Sequence, residues 1–272
     1  MQGVLKIMTR AKLALCIGVA ILLVGGTTTK ILSSDGSGDN LTPSEIFKKA
    51  QEKYASMTSY SDEGKTVETI DTTNSPTFIH TFTIRLDRPS LYRIEWVMNI
   101  EMGGITEMTA KSNAVWSAGD GDFLAMAGDG AEKMPSEEIA LSSSKDISGY
   151  ASSTIPPTFF NLNWGSQLGG SVTDEKQQPD EKVGDVDCYV LTDESKKGIT
   201  RTLWIGKQDF LIHQIRNVTS PEAMKAMMVE EAKSHPEILA HMTQSGILGS
   251  TSVETHQNII ENPVLTALDF AR

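Results

Sequence analysis

Residues Thr77–Met98, TFIHTFTIRLDRPSLYRIEWVM, alternate between apolar and polar side chains more cleanly than any other stretch of the chain. Alternation with period two is the mark of a half-buried β-strand. On the first arm Phe78, His80, Phe82, Ile84 and Leu86 share one face, with Thr77, Thr81, Thr83, Arg85 and Asp87 on the other. On the second arm Tyr92, Ile94, Trp96 and Met98 share a face, with Arg93 and Glu95 opposite. Between the arms, Asp87-Arg88-Pro89-Ser90 has the composition of a turn. The stretch predicts a β-hairpin with one apolar side. A two-stranded ribbon is marginal alone, so that side must meet more strands, a helix, or something that is not protein.

The flanks extend the same pattern. A strand is expected from Asp62 to Asp71 before the hairpin, and another from Glu101 to Lys111 after a break at Gly103-Gly104. Val115-Trp116-Ser117 and Phe123-Leu124-Ala125-Met126 flank a tight turn at Ala118-Gly119-Asp120-Gly121-Asp122. Residues Pro135 to Asn163 break the meander, with helix starts at Pro135-Ser136-Glu137-Glu138 and at Pro156-Pro157. Strands are then expected at Ser171–Gln177, Asp185–Asp193, Ile199–Ile205, Phe210–Val218 and Ser252–Glu261. Pro221 to Gln244 reads as a helical insertion rich in methionine, split by His235-Pro236. Ahead of all this, Thr42-Pro43 with Glu45 signals a helix start, and Ile46, Phe47, Ala50, Tyr54 and Met57 form its apolar stripe. There is no internal repeat.

At 272 residues, 39 % hydrophobic and 22 % charged, the chain suits one large domain. Residues 1–32 are expected to be a signal peptide or N-terminal membrane anchor, 33–41 a flexible linker, and 42–272 the folded domain, with its helical insertion at 221–246. The leader has a basic start (Lys6, Arg10, Lys12) and an apolar run from Leu13 to Gly26, without an acidic residue. That run is shorter than the roughly 20 residues of a comfortable transmembrane helix, which favours export, while tethering to the inner membrane through residues 11–26 stays open. Cys16 follows Leu15 inside the run and does not read as a lipid-attachment site. With the leader removed, Cys188 is the one cysteine left, and no intramolecular disulfide can form. The remainder carries 20 basic against 35 acidic residues, a net charge of −15. Such a domain does not seek nucleic acid or anionic head groups through its charge.

The motifs of common enzymes are missing: Gly-x-Ser-x-Gly, the P-loop, the dinucleotide glycine pattern and His-Glu-x-x-His do not occur. Ser142 and Lys145 have the spacing of a serine-lysine dyad but lack its partner motifs, and a coincidence in a serine-rich loop explains them better. Asp120, Asp122 and Asp129 read as turn residues, since Leu124 and Ala131 stand where a calcium loop needs ligands. His80, His213, His235, His241 and His256 show no metal spacing, so neither a metal nor a cofactor is expected. Asn40-Leu41-Thr42 and Asn217-Val218-Thr219 are glycosylation sequons only in a host that glycosylates.

Four stretches carry a resemblance to a known family. They are the helix end Tyr54-Ala55-Ser56-Met57-Thr58-Ser59-Tyr60 with the strand after it; Ile84-Arg85-Leu86-Asp87-Arg88-Pro89-Ser90-Leu91-Tyr92-Arg93; Val115-Trp116-Ser117-Ala118-Gly119-Asp120-Gly121; and Thr202-Leu203-Trp204-Ile205 with Phe210-Leu211-Ile212-His213-Gln214-Ile215. Their order resembles the periplasmic lipoprotein carriers LolA and LolB and the related sensor domains of RseB and MucB, over roughly residues 43 to 270. The resemblance implies a mainly β (α+β) fold: a curved antiparallel sheet forming a half-open barrel, with helices covering the concave face. It also implies a cavity for acyl chains beneath those helices. Arg88 matches the family's lid-latching arginine; from the residues alone it is equally a solvated turn residue.

The expectation that follows is an exported, non-enzymatic binding protein of the periplasm or cell envelope. It would hold an acyl chain, a lipoprotein or another apolar ligand on Phe82, Ile84, Tyr92, Ile94 and Trp96, and carry it between membrane protein partners. Met227 and Met228, adjoining Met224 at helical spacing, would line the mouth of the cavity or else fill the core under the insertion. The alternative expectation is an envelope sensor or scaffold that uses the same sheet to bind a protein partner.

Overall fold

The computed structural model describes residues 41–72, 75–102, 105–108, 112–162, 176–194, 198–231, 233 and 248–271. The expected leader, nearly all of the expected linker and residues 234–247 of the expected insertion lie outside them. The chain opens with helix α1 (Pro43–Ser56), where Thr42 and Glu45 form a reciprocal capping box. The expected stripe is its buried side: Ile46, Phe47, Ala50, Tyr54 and Met57 are all fully or almost fully buried.

The hairpin forms as read. Strands β2 (Thr77–Asp87) and β3 (Leu91–Met102) pair in register from Thr77↔Glu101 to Asp87↔Leu91, so Phe82 faces Trp96 and Ile84 faces Ile94. Around it the strands are β1 (Ser59–Asp71), β4 (Ile105–Met108), β5 (Asn113–Ser117), β6 (Asp122–Ala125), β7 (Ala131–Met134), β8 (Lys176–Val183), β9 (Val186–Glu194), β10 (Ile199–Gly206), β11 (Ile212–Thr219) and β12 (Gly249–Glu261). All pair antiparallel in one curved sheet, ordered β7-β6-β5-β3-β2-β1-β12-β11-β10-β9-β8, with β4 beside β3. Among the described residues the sheet does not close, and β7 and β8 stand at the two ends of its strand order. Pairing β1 with both β2 and the last strand, β12, brings the two ends of the domain together at its centre.

Three helices cover the concave face: α1, α2 (Glu137–Ser144) and α3 (Ile155–Phe160). The main core lies between these layers and joins Ile46, Phe47 and Tyr54 of α1, Leu141 of α2 and Phe159 of α3 to Ile84, Ile94, Trp96, Leu203 and Ile215 of the sheet. On the outer face, Trp116 stacks on Phe123 at one end, and Cys188, Val190 and Trp204 cluster at the other. Helix α4 (Pro221–Glu231) packs against β12, and the short α5 (Ala267–Phe270) buries Phe270 against β3.

Two expectations about strands need correction. The strand predicted at Ser171–Gln177 is found at Lys176–Val183, with 171–175 outside the described residues, and β7 was not foreseen. Both are short or polar edge strands. KQQPDEKV and AEKM present hardly any buried side, so no apolar alternation marks them, and Pro179 falls at a register shift of β8 where its missing N–H costs no ladder bond.

Candidate functional site

The concave face under the helices is the candidate site. Phe82, Ile84, Tyr92, Ile94 and Trp96 stand on it side by side, from 0 to 3 % exposed, in contact with the underside of the helical layer. The five residues proposed to line a cavity are thus brought together, and in this structure the helices fill the space above them.

Polar bonds fasten the layer down at a few points. Arg88, in the β2–β3 turn, donates from Nε to Met57 O at 2.9 Å, and from Nη2 to Tyr54 O at 3.5 Å and to Phe159 O. Its guanidinium lies 4.6 Å from the centre of the Phe159 ring. Tyr54 lies in the last turn of α1, Met57 is its C-cap and Phe159 lies in the last turn of α3, so one cation serves the negative ends of two helix dipoles. Elsewhere Thr66 Oγ1 donates to Gly149 O at 2.7 Å, Arg201 to Thr154 Oγ1 at 3.0 Å, and the Ile212 amide to Tyr54 Oη at 3.1 Å. Gly149 has a φ of +67°, and a Cβ there would come within 2.7 Å of the His80 ring, so the segment after α2 reaches the sheet only because this residue is glycine.

Where α2 leaves β7, Glu137 lies beside Asp122, which accepts a hydrogen bond from Tyr92 Oη at 2.9 Å. Burial, with the Asp122 charge adding to it, pushes the Glu137 carboxyl up to about 7.

The concave face also holds a polar cluster that the sequence did not announce. His256 Nδ1 is 2.6 Å from Asp62 Oδ2 and its Nε2 is 3.1 Å from Glu254 Oε1, with all three side chains solvent-inaccessible or nearly so. Tyr60 Oη donates to Asp62 Oδ2 at 2.8 Å. Burial opposes the charged imidazole, but the two carboxylates outweigh it and hold its pKa at about 10. The only signal in the sequence was the alternation of Tyr60, Asp62, Gly64 and Thr66, and of Ser252, Glu254 and His256, which reads equally well as a solvated face.

Other candidates separate. Met228 is buried and Met227 half-buried on α4, but neither belongs to the core cluster that holds Trp96. Ser142 Oγ donates to Ile139 O and Lys145 Nζ sits 5.6 Å from the Tyr150 ring centre, so they form no dyad. His213 pairs with Asp209 at 2.9 Å, and His235 and His241 lie outside the described residues. Among the described residues no group of histidine, cysteine and acidic side chains could hold a metal ion.

No model of a known protein family matches this chain, and no curated protein does. Solved structures are similar to it. A LolA superfamily protein from Nitrosomonas europaea is 12 % identical over 85 % of this chain and 98 % of its own, with a TM-score of 0.32. LprF from Mycobacterium bovis is 8 % identical over 83 % of this chain and 95 % of its own, with a TM-score of 0.38. MucB of Pseudomonas aeruginosa, in complex with MucA, is 9 % identical over 85 % of this chain and 60 % of its own, with a TM-score of 0.36. These are likenesses of fold, that of an open curved sheet with helices on one face.

Proposed function

We propose that this chain is an exported, non-enzymatic binding protein that takes up an acyl chain or another apolar ligand between the helical layer and the concave sheet. The observation that carries the reading is the way the layer is attached. A continuous apolar wall of Phe82, Ile84, Tyr92, Ile94 and Trp96 is covered by α1 and α3, and a single side chain, Arg88, ties the ends of both helices to the hairpin turn. Releasing the polar bonds removes the directional ties, and lifting the helices then uncovers the apolar surface they share with the sheet. A ligand chain then replaces their contacts with its own, at about 25 cal/mol per Å² of apolar surface buried. No covalent step is needed, and transfer requires only an acceptor of higher affinity.

Arg88 acts as the latch in this reading. Met227 and Met228, on a helix that packs on β12, form the mouth of the site in this reading, and lysine at both that left binding intact in a folded protein would remove them from it. The test is native mass spectrometry of the chain, produced with its leader and purified without detergent. Bound acyl-chain masses, lost on Ile94→Asp in a protein that still folds, support the reading. A mass free of ligand even after incubation with membrane vesicles overturns it, and a stable complex with an envelope protein would put a sensor or scaffold in its place.

A further inference from the structure

One end of the concave face is not built like the wall of an acyl-chain cavity. Cross-strand pairing sets Asp62 of β1 directly beside Ile84 of β2, and Gly64 beside Phe82, whose ring meets the His256 imidazole edge-on at 5.5 Å. The apolar wall therefore passes within one strand into the Asp62–His256–Glu254 cluster. Two carboxylates there face one imidazole, and among the described residues no lysine or arginine forms an ion pair with either of them. A buried charge in that state is costly. Asp62 Oδ1, moreover, is buried and makes no hydrogen bond among the described residues. Buried carboxylate oxygens normally have a donor, so this one is an acceptor that a further group can satisfy.

Of the cluster, His256 alone also reaches a cleft. β11 and β12 pair only as far as Gln214↔Thr255, and beyond that point they part around an open cleft of about 510 Å³. His256 belongs to the wall of this cleft as well as to the cluster, and the carboxylates of Asp209 and Glu261 stand on the same wall. Asp209 pairs with His213 and Glu261 with Lys53.

The geometry points to an amphiphile with a cationic head group as the ligand: a positively charged nitrogen received by Asp62 and Glu254 beside His256, with the apolar chain running over Ile84, Ile94 and Trp96. This rests on the binding reading above and names the chemical class that the same face selects. An ammonium group supplies a positive charge and the donor that Asp62 Oδ1 lacks, and charge-assisted bonds of this kind are the strong ones. An anionic head group would meet two carboxylates instead.

The test compares dodecylamine, dodecanol and dodecanoate, three probes with one chain, by calorimetric titration of the full chain at pH 7, below the micelle concentrations of the two ionic probes and the solubility limit of the alcohol. The amine is expected to bind at least about tenfold more tightly than the carboxylate. In Asp62→Asn/Glu254→Gln that preference collapses while dodecanol binding is retained. If the double variant does not fold, Glu254→Gln alone should reduce the preference. Equal affinities of the amine and the carboxylate for the unaltered chain, or tighter binding of the carboxylate, overturn the head-group assignment and leave the binding reading in place. Failure of all three probes to bind overturns both.

Discussion

At the scale of single residues, Arg88 and His256 each place a charge where burial makes it count. Arg88 reaches three carbonyls and an aromatic face at once, which a planar fork of donors can do and an ammonium cannot. Arg88→Lys is therefore expected to lose about 2 kcal/mol in urea unfolding despite keeping the charge, and Arg88→Ala more. His256 is a titration prediction. Its pKa rises from an ordinary 6.5 to about 10 on folding, so the folded state binds the extra proton between these values. The stability this contributes is complete below about pH 6.5 and is lost as pH climbs through 10, with an upper bound of about 5 kcal/mol. Unfolding midpoints measured at pH 6, 8 and 10 should fall steadily, and His256→Gln should flatten the trend while lowering stability at pH 6. A midpoint that does not change with pH in the unaltered chain would contradict this account.

At the scale of elements, the question is what holds α2 and the segment after it on the sheet. Gly149→Ala places a methyl group against the His80 ring in a backbone conformation that alanine rarely adopts. A loss of about 2–4 kcal/mol is expected, with faster amide exchange over residues 144–160 than over β2 and β3, because the contact belongs to the helical layer rather than to the sheet. Glu137 adds a pH dependence at the other end of α2. Its folded pKa of about 7 lies above its ordinary 4.5, so its contribution is complete at low pH and is lost as pH rises through 7. The groups facing it are Asp122 of β6 and the Tyr92 phenol of β3. Glu137→Gln should stabilise the protein by about 1–2 kcal/mol at pH 8 and hardly at all at pH 4, as read by unfolding at the two values.

At the scale of the whole molecule, the open sheet leaves two edges that could pair with other chains. β8 meets this with Lys176, Pro179, Asp180, Glu181 and Lys182, and β7 with Glu132 and Lys133. Replacing Pro179 and Asp180 by valine removes both the register shift and a charge that pairs with Lys207. That variant is expected to self-associate with rising concentration in sedimentation, whereas the parent chain, carrying net −15 beyond its first 30 residues, should not.

The central hairpin and the helix that opens the domain were legible from the residues alone. Alternation in Thr77–Met98 placed Phe82, Ile84, Tyr92, Ile94 and Trp96 on one face, and the Thr42-Pro43-Glu45 signal placed α1, because strand period, turn composition and capping are local properties of the chain. Local signals weakened at β7 and β8, whose side chains are polar because they face water at an edge. Local reading also left Arg88 open between a solvated turn residue and a latch, since its three acceptors come from Tyr54, Met57 and Phe159, far away in sequence. That the alternating Asp62, Glu254 and His256 point inward follows from strand pairing and not from any local pattern. A polar face and a buried ionic cluster have the same period, and what separates them is the pairing of β1 with β12 across almost the whole length of the domain.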